Sequence, residues 1–349
     1  MVDMKKSVKL GLIGCGQIAQ AVHLPNLTRL SEVELVALAE TDESRLEQAG
    51  RQVPHAQKFT DYSQLLSMPE IDAVIVCVPN ALHAGVAIAA MEKGKHLYLE
   101  KPMATGVEDA RRMLDVWQQT GVVGMMGFNY RFNQLYQTTQ RVVQSGRIGE
   151  IVGARSIFST ADQESPQWKK SRESGGGVLL DLAPHDIDLV RFILGQEIAE
   201  VSASTRSLRS DADIATVQVR MEDGSYVQLF FSWGAVEESG LEIYGTAGKV
   251  SLNRYESLSP IVTGTKAGGQ LKQVWRGLTS VAGLPYFVER LRAPMNEPSF
   301  ARALEHFVDA VRGEHRASPD LFDGYRSQTV IQAAEESALT RNTIIPDSL

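Results

Sequence analysis

Two cysteines, Cys15 and Cys77, are too few for a disulfide framework or a CxxC metal site. No apolar run approaches the roughly 20 residues needed to cross a bilayer, so a membrane partner is not expected. Basic runs are missing too: Lys plus Arg number 35 against 42 Asp plus Glu, a formal charge of −7. Such a surface repels phosphate backbones, which excludes nucleic acid as the expected partner. Neither internal repeats nor low-complexity tracts interrupt the 349 residues, a length that suits about two domains. With 43% hydrophobic and 22% charged residues, the balance is that of a globular protein. Lys5 and Lys6 ahead of Leu12-Ile13-Gly14-Cys15 imitate a lipoprotein signal. Lys9 and Gly11 break that stretch, whereas a secretory core needs about 7–15 uninterrupted apolar residues. The expected location is the cytoplasm.

What is present is a change of rhythm near residue 128. Before it, near-continuous apolar runs at Val8 to Ile13, Val33 to Ala39, Ala73 to Val78, His96 to Leu99 and Val122 to Gly127 fit strands buried on both faces. Helical patterns lie between them at Ser44 to Gln52, Ala81 to Lys93 and Val107 to Thr120. This alternation predicts a doubly wound parallel α/β domain over 1–128. After a helix at Gln134 to Ser145, strands are predicted at Ile151 to Phe158, Val201 to Leu208, Ala215 to Met221, Tyr226 to Trp233 and Leu241 to Tyr244. Several alternate polar with apolar, and Glu222-Asp223-Gly224-Ser225 reads as a hairpin turn. A second α/β domain over 129–349 follows, with a mostly antiparallel sheet and a helix at Val178 to Leu194. Residues 254–298 read as irregular, and helices at Phe300 to Arg312 and Asp323 to Thr340 close the chain.

The first strand runs into Gly14-Cys15-Gly16-Gln17-Ile18-Ala19, a GxGxxA sequence. Gly14 permits the tight turn, Gly16 lets backbone N–H groups approach a pyrophosphate, and Ala19 lets helix pack close to strand. Glu40 ends the second strand 21 residues beyond Ala19, where an acid binds the ribose hydroxyls of NAD. The loop therefore predicts dinucleotide binding, with NAD rather than NADP.

Four further segments fall in one order and spacing: Cys77-Val78-Pro79-Asn80-Ala81-Leu82-His83, Glu100-Lys101-Pro102, Gly127-Phe128-Asn129-Tyr130-Arg131-Phe132, and Gly175-Gly176-Gly177 leading to Asp181-Leu182-Ala183-Pro184-His185-Asp186-Ile187-Asp188. With the glycine loop, they resemble the oxidoreductase family named for glucose-fructose oxidoreductase, inositol dehydrogenase and the rhizopine catabolism protein MocA. The resemblance covers about residues 8–195. It implies a Rossmann domain followed by an α/β domain on an open sheet, through which relatives assemble as dimers or tetramers. It also implies cofactor contacts from Gly14, Gly16, Gln17, Ile18, Glu40, Pro79, Asn80, His83, Glu100, Lys101 and Asn129. Lys101 would then lie beside the nicotinamide, with Asp181 and His185 completing the catalytic set.

The chemistry of these residue types agrees with the implied roles. Oxidising a secondary alcohol sends a hydride to nicotinamide and a proton to a base, and an imidazole titrating near neutrality is suited to take that proton. A lysine ammonium stabilises the developing alkoxide. Asp181 orients the imidazole or balances the lysine charge, and a spacing of four places it on one helix face with His185. Pro184 within that helix favours a kink. Asp181, His185 and Asp188 also share a face that resembles a metal site, but no histidine or cysteine cluster supplies further ligands and no metal is expected. His23, His55, His96, His306 and His315 read as structural or surface residues. The substrate implied is a sugar, cyclitol or related polyol. Two other readings use the same residues: a dinucleotide-binding regulator without turnover, and a glycosidase that retains its NAD.

The Glu40 carboxylate should repel the 2′-phosphate of NADP, so Glu40→Ser is expected to relax a native preference for NAD. Parallel titrations with the two cofactors check this, and equal binding of both by the native protein would contradict it.

Overall fold

The computed structural model describes residues 7–161, 166–264 and 284–347, and the chain forms two compact units. Lys5, Lys6, Gly268, Gly269 and Gly283 lie outside the described residues. The first unit holds a six-stranded parallel sheet of β1 (Val8–Ile13), β2 (Val33–Ala39), β3 (Gln57–Phe59), β4 (Ala73–Val76), β5 (His96–Leu99) and β6 (Gly124–Met126). Their order is β3-β2-β1-β4-β5-β6, the doubly wound arrangement. A π-turn at Ala19–His23 leads into α1 (Leu24–Leu27), and α2 (Glu43–Gly50), α3 (Tyr62–Leu66), α4 (His83–Glu92) and α5 (Val107–Thr120) follow. Local chemistry accounts for α5. Glu108 and Asp109 sit in its first turn, Val107, Ala110, Met113 and Leu114 bury one face, and Gly121 ends it in the left-handed region at φ 65°. By contrast β3 and α3 have only 3 and 5 residues, too short for a period to declare itself.

One assignment of the sequence reading changes. Residues 293–325, placed with the second domain on sequence, belong to the first unit. The helix Ser299–Val311 buries Ala303, Leu304, Phe307 and Val308, and the Phe307 ring meets Tyr98 of β5 edge-on at 5.6 Å. Further on, the Met126 amide donates to the Pro319 carbonyl at 2.9 Å, and Met125 bridges to Asp320. These bonds cover the β6 edge, whose backbone groups would otherwise remain unpaired. Leu321 and Tyr325 then enter the core beside Met103 and Met126.

The second unit comprises 130–292 and 326–349. Its seven-stranded sheet contains β7 (Ile151–Thr160), β8 (Ile198–Arg206), β9 (Ile214–Met221), β10 (Tyr226–Trp233), β11 (Glu238–Gly245), β12 (Gly248–Asn253) and β13 (Ile261–Gly264). The order is β13-β12-β11-β7-β10-β9-β8; β7 and β10 run parallel and all other neighbours antiparallel. At the β9–β10 turn the Met221 amide donates to the Ser225 carbonyl at 2.8 Å, with Gly224 at φ 88° as the hairpin requires. Alternation then puts Val217, Val219, Leu229 and Phe231 on one face. There they share a core with residues of α6 (Gln134–Gln144), α7 (Val178–Asp181) and α8 (Ala183–Leu194). The stretch read as irregular, 254–298, in fact carries β13 and a helix at Leu284–Arg292. The last helix, Leu321–Thr340, gives its first residues to the first unit and the rest to the second. Among the described residues no helix is long and apolar enough to cross a membrane.

Phe307→Ala should destabilise the first unit by about 3–5 kcal/mol, the usual cost of emptying a buried phenylalanine site. Urea unfolding followed through the first unit's own signal checks this, and an unchanged midpoint would detach the segment from that core.

Candidate active site

The glycine loop begins where β1 meets β4. Gly14 sits at φ +90°, and a Cβ there would lie 2.5 Å from the Cys77 carbonyl oxygen, so both its conformation and its space require glycine. Among the described residues nothing lies within 4 Å of where a Cβ on Gly16 would stand, leaving the backbone open to a ligand. Gln17 is exposed and Ile18 half-buried on the same loop. Glu40 closes the loop from β2: one carboxylate oxygen accepts from the Cys15 amide at 2.9 Å, the other from the Asp42 amide at 3.0 Å and from Arg45 at 2.7 Å. Burial pushes this carboxyl up, but the bonds from Arg45, Asp42 and Cys15 outweigh it and hold Glu40 below its usual range. An open backbone face and an ionised strand-end acid fit a dinucleotide. Cys15 and Cys77 follow neighbouring strands and are buried free thiols; burial, then the Glu40 charge, pushes Cys15 up to about 12.

The segments after β4 and β5 lie along the same carboxyl edge of the sheet. His83 is buried with its ring nitrogens 2.7 Å from the Pro102 carbonyl and 2.9 Å from that of Val78. Burial pushes its pKa down, against those two bonds. His83 thus ties the loop of Pro79 and the buried Asn80 to the residue after Lys101. Glu100 is buried as well: it accepts from the Lys101 amide at 3.3 Å and meets His23 Nε2 at 2.8 Å. Burial pushes Glu100 up, but the His23 bond and the charges of His23 and Lys101 hold it below its usual range. Asn129 is buried and donates to the Ser299 hydroxyl at 2.8 Å. His23 and Ser299 were not among the residues the sequence singled out. A histidine and a serine acquire meaning only through partners 77 and 170 positions away.

In the second unit, the three glycines precede the motif because space demands it. A Cβ on Gly176 would stand 2.0 Å from the Lys169 carbonyl oxygen, and Gly177 adopts φ +97°. The helix expected from Val178 to Leu194 breaks at Leu182, with Pro184 in the first turn of α8. Asp181 therefore ends α7 and His185 begins α8, so one continuous helical face does not carry both. Lys169 Nζ donates to Asp181 at 3.1 Å while lying 5.7 Å from the half-buried Trp168 ring, a partner the sequence did not assign. His185 is buried against Tyr130, ring centroids 4.5 Å apart, with Phe158 at 6.2 Å. Arg254 lies over the other aromatic groups, 4.5 Å from the Tyr130 centroid and 4.4 Å from that of Tyr255. Asp188 is taken by a two-point ion pair with Arg131 at 2.5 and 2.8 Å. Among the described residues no group of three or more His, Cys, Asp or Glu is placed to hold a metal ion.

The fold and loop define a dinucleotide-binding α/β protein with a second, sheet-based unit. Residues 8–128 match the model of the GFO/IDH/MocA oxidoreductase family, NAD-binding Rossmann fold, and residues 136–251 match the GFO/IDH/MocA C-terminal domain. The chain belongs to this oxidoreductase family and carries its NAD-binding domain. It is 25% identical to the myo-inositol 2-dehydrogenase of Thermotoga maritima, over 97% of this chain and 98% of that one. It is 30% identical to the 1,5-anhydro-D-fructose reductase of Ensifer adhaerens, over 73% of this chain and 78% of that one. Among solved structures, a levoglucosan dehydrogenase in complex with NADH and levoglucosan superposes with a TM-score of 0.85 at 23% identity, covering 98% of this chain and 100% of that one.

Asp186, next to His185, gives the second unit a pH signature. Burial pushes its carboxyl up to about 6, against the Ser156 hydrogen bond at 2.7 Å and the Arg254 charge. The folded chain thus keeps a proton that the unfolded chain releases from its ordinary value of 3.8 upward. That contribution is complete below the ordinary value and is lost as pH rises through about 6. Asp186→Asn should therefore gain stability over the native protein at pH 7 and little at pH 4. Urea midpoints at the two pH values check this, and an equal difference at both would assign the effect to packing.

Proposed function

We propose that the protein catalyses reversible NAD-dependent hydride transfer at a secondary alcohol of a sugar, cyclitol or related polyol. The observation that carries this reading is the position of Lys101. It lies two residues beyond the end of β5, at the sheet edge where the Gly14–Gly16 loop leaves β1 and where doubly wound folds bind their ligands. Support for the substrate class comes from the relatives, whose names specify an inositol, an anhydro-ketose and levoglucosan, all polyhydroxylated rings or their ketones.

In this reading Gly14, Gly16, Gln17 and Ile18 receive the pyrophosphate and Glu40 the adenosine ribose. Pro79, Asn80, His83, Glu100 and Asn129 shape the remainder of the cofactor cleft. Bound NAD supplies the hydride acceptor. Lys101 holds the reacting oxygen and offsets the charge that develops on it. His185 takes the hydroxyl proton, and its tilted packing against Tyr130 limits the ring to few orientations. Asp181, held by Lys169, supplies negative charge to the catalytic set. The same reading makes the protein a cytoplasmic homodimer or homotetramer that assembles through its open sheet. Tyr226 and Tyr244 support that surface: they flank Gly153 in register and are 51% and 37% exposed.

Incubation with NAD and a panel of polyols, read as NADH absorbance, tests the activity; NAD binding without turnover on any of them would favour a regulator. On the substrate so found, His185→Asn should keep NAD binding and lose about 10²–10⁴ in turnover, together with the rise in rate around the imidazole pKa. Lys101→Met should also cripple turnover, but its residual rate should keep that rise. A His185 variant with full activity and the native pH profile would refute the assignment.

A further inference from the structure

We propose that the Arg131–Asp188 ion pair is a positioning clamp for His185. It sets the start of α8 against the 129–132 turn, so that the Tyr130 ring meets the imidazole in one register. The proposal rests on the reading of His185 as the group that takes the substrate proton. It gives a role to Arg131, which lies in the turn after β6 and has no part in the site assigned above. Arg131 acts on the reaction only through the residues it holds.

Two contacts join the turn to the helix. Tyr130 and Arg131 are consecutive on the turn, and His185 and Asp188 lie nearly one helical turn apart on α8. The Tyr130 and His185 centroids are 4.5 Å apart, with the rings inclined by 31°. Arg131 Nε donates to one Asp188 oxygen at 2.8 Å and Nη2 to the other at 2.5 Å. The ring contact alone would leave α8 free to rotate about it. A planar guanidinium on a planar carboxylate, one residue from that contact, fixes orientation as well as distance. The neighbouring cation does not compete for this role. Arg191 Nη1 stands 3.6 Å from Asp188, but its Nε and Nη2 donate to Glu197 at 2.6 and 3.0 Å.

Apolar packing alone does not set this register. The chain breaks at Leu182, so α7 does not dictate where α8 begins. Ile187, Val190 and Ile193 hold α8 in the core by burial, which is non-directional. Tyr130, for its part, is tied to the sheet. Arg254, directly after β12, lies 4.5 Å from its centroid, and Phe158 of β7 packs on it at 6.4 Å. The ring is thus a fixed stop on the sheet side, and the ion pair draws α8 onto it. The Asp188 side chain is 1% exposed and that of Arg131 11%. Withdrawing two such ions from solvent gains little net stability over apolar side chains of like volume. What the pair supplies is direction, which apolar side chains do not.

The test separates position from stability. The full-length protein is modified briefly with diethyl pyrocarbonate near neutral pH, and the rate at His185 is read by peptide mass spectrometry. Exposed His55 and buried His83 serve as fast and slow references. The double variant Arg131→Met, Asp188→Leu removes both charges and fills their space, so its urea midpoint should stay near native. Its His185 should nonetheless react about tenfold faster or more, the local opening expected when a charged hydrogen bond is lost, with His83 unchanged. With NAD and a polyol substrate, it should bind NAD as before and lose about 10² in turnover, the usual effect of a small misplacement. Its residual rate should keep the rise around the imidazole pKa, unlike that of His185→Asn. A folded double variant with native His185 labelling, or with native turnover, overturns the proposal, as does a rise that His83 shares. Should the double variant not fold, Arg131→Lys decides, because it keeps the charge and loses the two-point geometry. Faster His185 labelling in that variant supports the clamp, and a native rate overturns it. Absence of polyol turnover in the native enzyme would overturn the functional reading and leave the labelling result standing.

Discussion

The backbones of β1 and β4 approach so closely that Gly14 has room only for hydrogen on the side of the Cys77 carbonyl. That approach is locked by ladder bonds on both sides of the turn: the Gly14 amide donates to Ala39 at 2.8 Å, and the Cys77 amide to Ile13 at 2.8 Å. Because all six strands run parallel, their carboxyl ends are gathered on one edge. The glycine loop, Glu40, the Val78–Pro79 turn and Glu100–Lys101 are therefore neighbours by topology, although the chain separates them widely. A side chain at position 14 would push β1 from β4 and disperse the entire edge, not only the turn.

Several acids withdrawn from solvent lie in the segments that carry the motifs. Glu100 is held by His23, Asp188 by Arg131, Asp186 by Ser156, and Glu40 by Arg45 and two amides. An apolar core of the same volume would be no less stable at these places, since desolvation of an ion commonly offsets the attraction it gains. The acids therefore mark positions where the chain keeps a charge despite its cost. Their partners differ in kind. Asp188 meets a guanidinium in a two-point ion pair, whereas Glu100 meets an imidazole nitrogen.

The break between α7 and α8 shows a similar division of labour. Leu182 ends one helical segment and Pro184 starts the next, so Asp181 and His185 are set independently. Lys169 takes Asp181, and the Tyr130 and Phe158 rings take His185. A continuous helix would have fixed their separation at one turn and left neither free to adjust.

Much of the first unit was legible in the chain itself, because periodicity and punctuation are local. The apolar runs of β1, β2, β4 and β5, the face of α5 and the GxGxxA loop each follow from residues within a few positions of one another. The same holds for the alternation of β9 and β10 and their Gly224 turn. Pro184 announced a kink for the same reason. Tertiary structure alone decided what long-range packing controls. The segment 293–325 joins the first unit because Phe307 finds Tyr98 and Pro319 finds Met126. The short β3 and β13 exist because a neighbouring strand offers them hydrogen bonds. His23, unremarkable in sequence, becomes the partner of Glu100 only when the sheet order sets β5 across β4 from β1, after which the His23 turn follows. Local patterns fix which element each residue forms; hydrogen bonds and packing between distant segments fix which buried charges meet.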